Sequence, residues 1–497
     1  MNYKNLPVRV RFAPSPTGHM HLGSARTALY DYLFARKTGG QFVLRIEDTD
    51  RNRLVEGAEQ ELMDGLHWLG MDWDEGPDKG GVYGPYRQSE RKEIYLKHGH
   101  QLVEMGQAYY CFCSPERLDD VRKKKQANKE LPHYDGTCRN LNPQEAQKRR
   151  KNGERFVIRF KSPEKGSTQV QDLIRGEISI ENSNMDDYIL VKSNGWALYH
   201  LAAIVDDHLM KITHVIRGSE WLPSFPLHSL IHRAFSWEEP VWVHLSIFLK
   251  PSGKGKMSKR DVADLIKNDH SIFVKDLQGL GYTPEGVINW IALMGWSFDD
   301  HTEFFTMKDL IEKYSLERLN PAPASINFTK LDYFNKEHIK ALSFADLAKR
   351  IQYFFIRDGI DADISTLEKI APIICERITT LNDAVEIAKF FFKNNFIYDH
   401  KRLLIEGLSN SETIQVAEQV RDLLKSLPDL TIEPTQNVFS DLLQKNNLTP
   451  KQAYTFMREA ISGQQVTPPL FESMEILGKQ EVVSRIMKAR DFLNNPK

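Results

Sequence analysis

The stretch "VRVRFAPSPTGHMHLGSARTALYDYLFARKTGGQFVLRIE", near the N-terminus, constrains the fold more than any other part of this 497-residue chain. "VRVRFA" alternates, with Val8, Val10 and Phe12 on one face and Arg9 and Arg11 on the other, the period-two sign of a strand. Ala25, Ala28, Leu29, Tyr32 and Leu33 then share one face of a helix. Gly39-Gly40 closes that helix, and "FVLRIE" reads as a second strand. Strand, helix and strand at this spacing form a βαβ unit. That predicts a parallel sheet whose ligand side lies beyond the strand C-termini. The connecting turn, rich in Pro, Gly and His, is a poor way to build a core. It is a good way to present backbone amides and imidazoles to a ligand.

The length suggests roughly three to five domains. Residues 93–202 break the sheet pattern with a basic helical run, "RLDDVRKKKQANKE", and short strands, "FVIRF" and "DYILVKSNGWALYHL". They read as an α+β insertion. "ITHVIRG" and "VWVHLSIFL" resume the sheet, and from about 335 onward the periodicity is almost entirely helical. There Val416, Ala417, Val420, Leu423, Leu424 and Leu427 form one apolar face, and Ser409 with Glu412 and Thr449 with Gln452 read as capping boxes.

Bulk properties exclude several classes. No apolar run approaches the ~20 residues of a membrane span, and "MNYKNLPVRV" lacks a signal-peptide core, so the expected location is cytoplasmic. A net charge of −1 means that any nucleic acid must be held by local basic patches. Four cysteines are no disulfide framework in a chain this long.

Two elements carry chemistry. His21-Leu22-Gly23 stands where the first helix begins, and helix N-termini attract phosphate through free N–H groups; His19 and His21 would add hydrogen bonds. Taken alone, the pattern is more often an ordinary turn with capping histidines. The second is "KPSGKGKMSKRD", directly after the strand "VWVHLSIFL". Lys254, Lys256, Lys259 and Arg260 crowd one glycine-bearing loop, which suits a lid over negative charge developing on a transferring phosphate. No GxxxxGK[ST] loop and no HExxH occurs.

"PSPTGHMHLG" and "KMSKR" together closely resemble the two signature motifs of the class I aminoacyl-tRNA synthetases. With "RIEDTDRNR", "GPYRQSER", "YHLAAIVDDHLM" and "VIRGSEWL", the chain resembles the bacterial-type glutamyl-tRNA synthetases along essentially its whole length. The resemblance implies an α/β fold: a Rossmann-like catalytic domain with an α+β insertion, followed by an all-α anticodon-binding region. The expected segments are 1–92 and 203–250 for the two catalytic halves, 93–202 for the acceptor-binding insertion, 251–337 for a stem-contact region, and 338–388 and 389–497 for two helical anticodon subdomains. The implied activity uses ATP to make glutamyl-adenylate and pyrophosphate, then transfers glutamate to the terminal adenosine of tRNA-Glu.

By the same resemblance, Pro14, His21, Gly23, Glu220 and Lys259 hold ATP, with His21, Gly23, Lys256 and Lys259 catalytic. Arg11, Ser15, Glu47, Tyr199 and Arg217 bind L-glutamate; an arginine fork matches a carboxylate, and Glu47 suits the substrate ammonium. For Arg11 the plainer reading is a strand-edge salt bridge. Ala203 departs from relatives that carry Asn there. Arg377 and Arg458 match anticodon contacts, and arginine at 377 goes with enzymes restricted to tRNA-Glu. Cys111, Cys113 and Cys138 match a CxC…C zinc arrangement, but Asn140 stands where the fourth ligand is expected. Three thiolates plus water would still hold Zn2+; loss of the metal, leaving buried cysteines, is the reading that Asn140 favours. Cys375 reads as core, as does the aromatic run "KFFFKNNF". Mg2+ is expected to arrive with ATP, and the resemblance implies a monomer.

The alternatives are a non-discriminating enzyme that also charges tRNA-Gln, a tRNA-independent nucleotidyltransferase, and a catalytically dead RNA-binding paralogue. The helical tail and "KMSKR" weigh against the second, and retention of Arg11, His21, Gly23 and Lys259 against the third.

Overall fold

A computed structural model of the protein describes residues 7–255, 265, 270–393, 397–464 and 466–495. The chain forms two compact units, one made of residues 1–276 and 288–328 and the other of 277–287 and 329–497. No described helix is long and apolar enough to cross a membrane.

In the first unit, β1 (Arg9–Phe12), α1 (Leu22–Thr38) and β2 (Gln41–Leu44) form the expected βαβ unit. β1 and β2 pair in parallel, Arg9 opposite Gln41 through Phe12 opposite Leu44. Gly39 ends α1 in the left-handed conformation at φ 65°, and its amide bonds back to the last turn. The alternation in β1 does not mark a solvated face: Val10, Arg11 and Phe12 are all buried. A parallel sheet is covered on both sides, so its charged residues must find partners inside. Arg9 pairs with Glu75 at 2.8 Å and Arg11 with Asp207 at 3.1 Å.

Helices α2 (Ala58–Trp68) and α3 (Lys92–Glu104) lead to β3 (Ala108–Cys111), α4 (Pro115–Ala127) and α5 (Pro143–Lys151). β3, β4 (Val157–Phe160) and β7 (Ile189–Val191) make a three-stranded antiparallel sheet. Between them, β5 (Ser167–Asp172) and β6 (Gly176–Glu181) form a hairpin that reaches back to the main sheet. Its end, Asp172, pairs in parallel with Trp242. Helix α6 (Tyr199–Leu209) spans the position where the catalytic segment was expected to resume.

β8 (His214–Gly218), α7 (Phe225–Ala234) and β9 (Val241–Leu245) form a second parallel crossover. β1 lies beside β8: the Thr213 amide donates to the Arg9 carbonyl, and the Arg9 amide to the Thr213 hydroxyl, each at 2.9 Å. The lateral order is therefore β2-β1-β8-β9-β5-β6. The chain leaves β1 toward one edge and β8 toward the other. The crevice beyond the C-terminal ends of β1 and β8 is a topological switch point, where open α/β sheets bind ligands.

The second unit is helical. Both expected capping boxes form, Ser409 with Glu412 and Thr449 with Gln452. Val416, Ala417, Val420 and Leu424 are buried, with Leu423 and Leu427 packed partly buried against the same core. Phe390 is buried while Phe391 and Phe392 pack half-buried against a neighbouring core, as does Cys375; residues 394–396 of the aromatic run lie outside the described residues.

Candidate active site and metal-ligand cluster

A cavity of about 470 Å³ opens at the switch point. The loop after β1 lines it with Pro14 and Ser15, the start of α1 with His21 and Gly23, and the end of β8 with Arg217 and Glu220. Arg11, Glu47 and Tyr199 complete the expected set on its walls. Lys256 and Lys259 lie outside the described residues.

The local chemistry follows from the elements. His21 is the N-cap of α1: its Nδ1 accepts from the Gly23 amide at 3.0 Å, so the capping reading of the turn is realised. Nδ1 must then be the bare nitrogen, and Nε2 carries the proton. A Cβ placed on Gly23 would meet just His21 Nδ1, at 3.5 Å. Packing inside the protein therefore leaves room for a side chain, and openness at Gly23 serves the cavity. His19 is not on the cavity wall; it bonds Glu61 at 2.6 Å. At Gly218, by contrast, a Cβ would collide with the Glu220 carboxylate at 2.1 Å. The glycine is what lets Glu220 fold back beside the strand end.

Beneath the cavity is a buried charge network. One oxygen of Asp207, Oδ1, accepts from Arg11 Nε at 3.1 Å and from Arg45 Nη1 at 2.7 Å. Arg45 also donates to Glu47 at 3.0 Å, and Arg91 to Asp206 at 2.7 Å. Burial raises the Asp207 carboxyl, but the guanidiniums of Arg11 and Arg45 outweigh it and hold it below the usual carboxylate range. Glu47 lies above that range because burial outweighs Arg45 and Arg11. Both readings of Arg11 therefore coexist: it is a salt-bridge partner and part of the cavity wall. Arg217 has no such carboxylate bond. Burial pushes its guanidinium below the ordinary value.

Several wall groups were not singled out from the sequence. Trp221 stacks on Tyr199 with ring centroids 4.0 Å apart. Arg26 lies with its guanidinium carbon 4.0 Å from the Phe248 ring centroid and donates to the Ser246 and Met294 carbonyls. Ala203 is buried in α6 and is not among the cavity residues. The "VDD" of α6 held the signal for Asp206 and Asp207: adjacent carboxylates within an apolar helix need buried cations.

The three cysteine sulfurs converge, all within 4.8 Å of one another. Cys113 and Cys138 are 3.7 Å apart. A tetrahedral zinc with Zn–S bonds of about 2.3 Å sets its sulfurs about 3.8 Å apart. The Tyr134 hydroxyl lies 3.2 Å from Cys113 Sγ and 3.4 Å from Cys111 Sγ, while Asn140 lines a neighbouring cleft. The three sulfurs thus fit a tetrahedral metal, and the Tyr134 hydroxyl lies within reach of the fourth position. Bonds from Cys138, together with Tyr134 and Arg159, draw the Cys111 thiol well below its usual value.

In the helical unit, Arg377 is exposed and Arg458 half-buried, its Nη1 donating to the Thr467 hydroxyl at 2.6 Å and the Pro468 carbonyl at 2.9 Å. Burial and the nearby charge of Arg377 both lower Arg458. The fold has brought the two cations into one neighbourhood.

Comparison with known proteins adds the lineage. Residues 7–333 match the model of the catalytic domain of class I tRNA synthetases (E and Q), and residues 336–490 that of an anticodon binding domain. The chain is 42% identical over 487 residues to a glutamate–tRNA ligase of Dehalococcoides mccartyi, covering 97% of each. It is 40% identical over 495 residues to that of Borrelia recurrentis, covering 98% of this chain and 96% of the other. A crystal structure of a glutamate tRNA ligase from Elizabethkingia meningosepticum, in complex with its amino acid, matches with a TM-score of 0.90 at 37% identity, over 98% of this chain and 100% of that one. This chain belongs to the class I tRNA synthetases, within the glutamate–tRNA ligase family.

Proposed function

We propose that the protein joins L-glutamate to the terminal adenosine of tRNA-Glu at the expense of ATP. The observation that supports this most is convergence: side chains from residues 11 to 220, expected separately from sequence, line one cavity at the sheet's switch point. In the first step an α-carboxylate oxygen of glutamate attacks the α-phosphorus of ATP, and pyrophosphate leaves with the bond's electrons. In the second, a ribose hydroxyl attacks the activated carbonyl, and AMP departs.

Such chemistry needs placement and charge stabilisation more than covalent help. The α1 N-terminus and His21 would receive ATP, Glu220 would contact it, and Arg11 and Arg217 would take the carboxylates of glutamate. Glu47 and Tyr199 would orient its ammonium end. Lys256 and Lys259 would stabilise the leaving pyrophosphate, and Mg2+ would arrive with ATP. Residues 93–202 would receive the acceptor end, 251–337 the stem and 338–497 the anticodon, with Arg377 and Arg458 reading its bases as a monomer binds one tRNA.

We also infer a structural zinc held by Cys111, Cys113 and Cys138, whose sulfurs lie within 4.8 Å of one another, with the Tyr134 hydroxyl, 3.2 Å from Cys113 Sγ, as the fourth donor. Zinc there would crosslink β3 to the 134–138 loop.

The test is aminoacylation with labelled glutamate on purified tRNA-Glu and tRNA-Gln, with and without Arg377→Gln. Charging of tRNA-Glu alone, relaxed by the substitution, is expected. Charging of both by the unaltered protein would make it non-discriminating and remove the specificity role of Arg377. Charging of neither would overturn the reading.

A further inference from the structure

Behind Arg217 on the cavity wall runs a chain of buried polar groups to which the reaction scheme gives no role. Asp172, at the tip of the β5–β6 hairpin, has Oδ2 at 2.7 Å from His244 Nδ1 and accepts the His244 amide at 3.0 Å. His244 Nε2 in turn lies 3.0 Å from Arg217 Nε. On the other side, Arg217 Nη1 is 2.9 Å from His228 Nδ1, and His228 Nε2 is 2.9 Å from His200 Nδ1. Asp172, His228 and His244 have no exposed surface, and Arg217 is 5% exposed.

The proton positions follow without assumption. A guanidinium donates and cannot accept, so each ring nitrogen facing Arg217 must be bare. His244 is therefore the Nδ1–H tautomer, its proton aimed at Asp172, and His228 is the Nε2–H tautomer, its proton aimed at His200. Both imidazoles are neutral, in keeping with burial, which pushes His244 down to about 4 and His228 well below the ordinary imidazole value, with Arg217 adding to each shift. Arg217 thus has Nε and Nη1 fixed by uncharged acceptors, with the Tyr199 hydroxyl 3.4 Å from Nη1. Its Nη2 is the end without a hydrogen-bond partner among the described residues. A buried, unpaired guanidinium nitrogen on a cavity wall costs stability unless a ligand completes it.

We infer that His244, oriented by Asp172, and His228 are positioning residues that fix the Arg217 fork and hold its Nη2 ready for a substrate carboxylate. The inference rests on the reading of the cavity as the glutamate site and adds which groups set its geometry. Neutral partners matter here. A carboxylate bonded to Arg217 would satisfy the guanidinium inside the protein, whereas imidazoles orient it and leave its charge for the ligand. A carboxamide in place of the carboxylate would leave that charge unanswered, so the same arrangement favours glutamate over glutamine.

The test compares glutamate KM and ATP KM in aminoacylation for His244→Leu, His244→Gln, Arg217→Lys and the Arg217→Lys/His244→Leu pair. His244→Leu is expected to raise glutamate KM about tenfold or more, with ATP KM within about twofold. His244→Gln, which keeps an acceptor oxygen within reach of Nε, should recover most of the loss. In the Arg217→Lys background, His244→Leu should add less than about twofold, because it acts through the fork. An unchanged glutamate KM in His244→Leu, with a raised one in Arg217→Lys, overturns the positioning role and leaves the pocket reading standing. An unchanged value in Arg217→Lys overturns the pocket reading itself. If the leucine variant does not fold, ring-nitrogen NMR of the unaltered protein decides: a protonated Nε2 on His244 refutes the inference, and a bare one supports it.

Discussion

Asp207→Asn gives the most direct test of the charge network under the cavity. The same carboxylate oxygen accepts from both Arg11 and Arg45, so an asparagine oxygen in its place keeps both hydrogen bonds and deletes the charge alone. Two unit charges about 3 Å apart at an effective dielectric of 20 attract by roughly 5 kcal/mol, and Asp207 faces two such cations. Relief of the carboxylate's desolvation returns several kcal/mol. The balance is a loss of about 3–5 kcal/mol, the usual cost of leaving buried charge uncompensated. All eight tryptophans lie in the first unit, so tryptophan fluorescence during urea unfolding reports that unit specifically. A loss of less than about 1 kcal/mol, with an unchanged slope, would refute the account of Asp207 as a shared counter-ion. Because Asp207 is held below its unfolded value, its contribution is present above about pH 3.9 and is lost as pH falls through the folded value.

Asp31, fully buried on α1 with no hydrogen-bond partner for either oxygen among the described residues, lies well above its usual value because of burial. The unfolded chain releases that proton above about pH 3.9 while the folded one keeps it, so stability falls as pH rises toward the folded value; Asp31→Asn should match the parent near pH 4 and exceed it increasingly as pH rises from there in thermal melts, and a constant difference would contradict this. Lys259→Ala should lower kcat by roughly 10²–10³, about 2.7–4 kcal/mol, with glutamate KM little changed; near-normal pyrophosphate exchange would remove its proposed role. Metal analysis of the purified protein should find one zinc per chain, absent in Cys113→Ser, and a zinc-free parent would return the cluster to three free thiols.

The βαβ start, the helical tail and its capping boxes were legible in sequence because each rests on contacts between near neighbours, such as Ser409 with Glu412. The cavity residues were legible through family motifs. What escaped was set by distant pairings. No local pattern joins Asp172 to His244, Arg11 to Asp207, or Tyr134 to Cys111. The alternation of Val and Arg in β1 marked a strand but not what its arginines meet; they turn inward to Glu75 and Asp207. The family arrangement puts a fourth ligand at 140, where Asn140 stands; what no local pattern showed is that folding brings the Tyr134 hydroxyl within 3.4 Å of the Cys111 and Cys113 sulfurs.

The placement of β1 beside β8 also has a temporal side. On the ribosome β1 emerges well before its neighbour β8, for the threonine that bonds its edge, Thr213, is 204 positions later. At about 5–20 residues per second, roughly 10–40 s pass before that edge is covered. Throughout that interval the nascent chain carries Arg9 and Arg11 on an open strand. Charged side chains on such an edge discourage pairing with a neighbouring chain on a crowded polysome. The residues that later bind or brace the pocket would therefore act first as the strand's guard during synthesis.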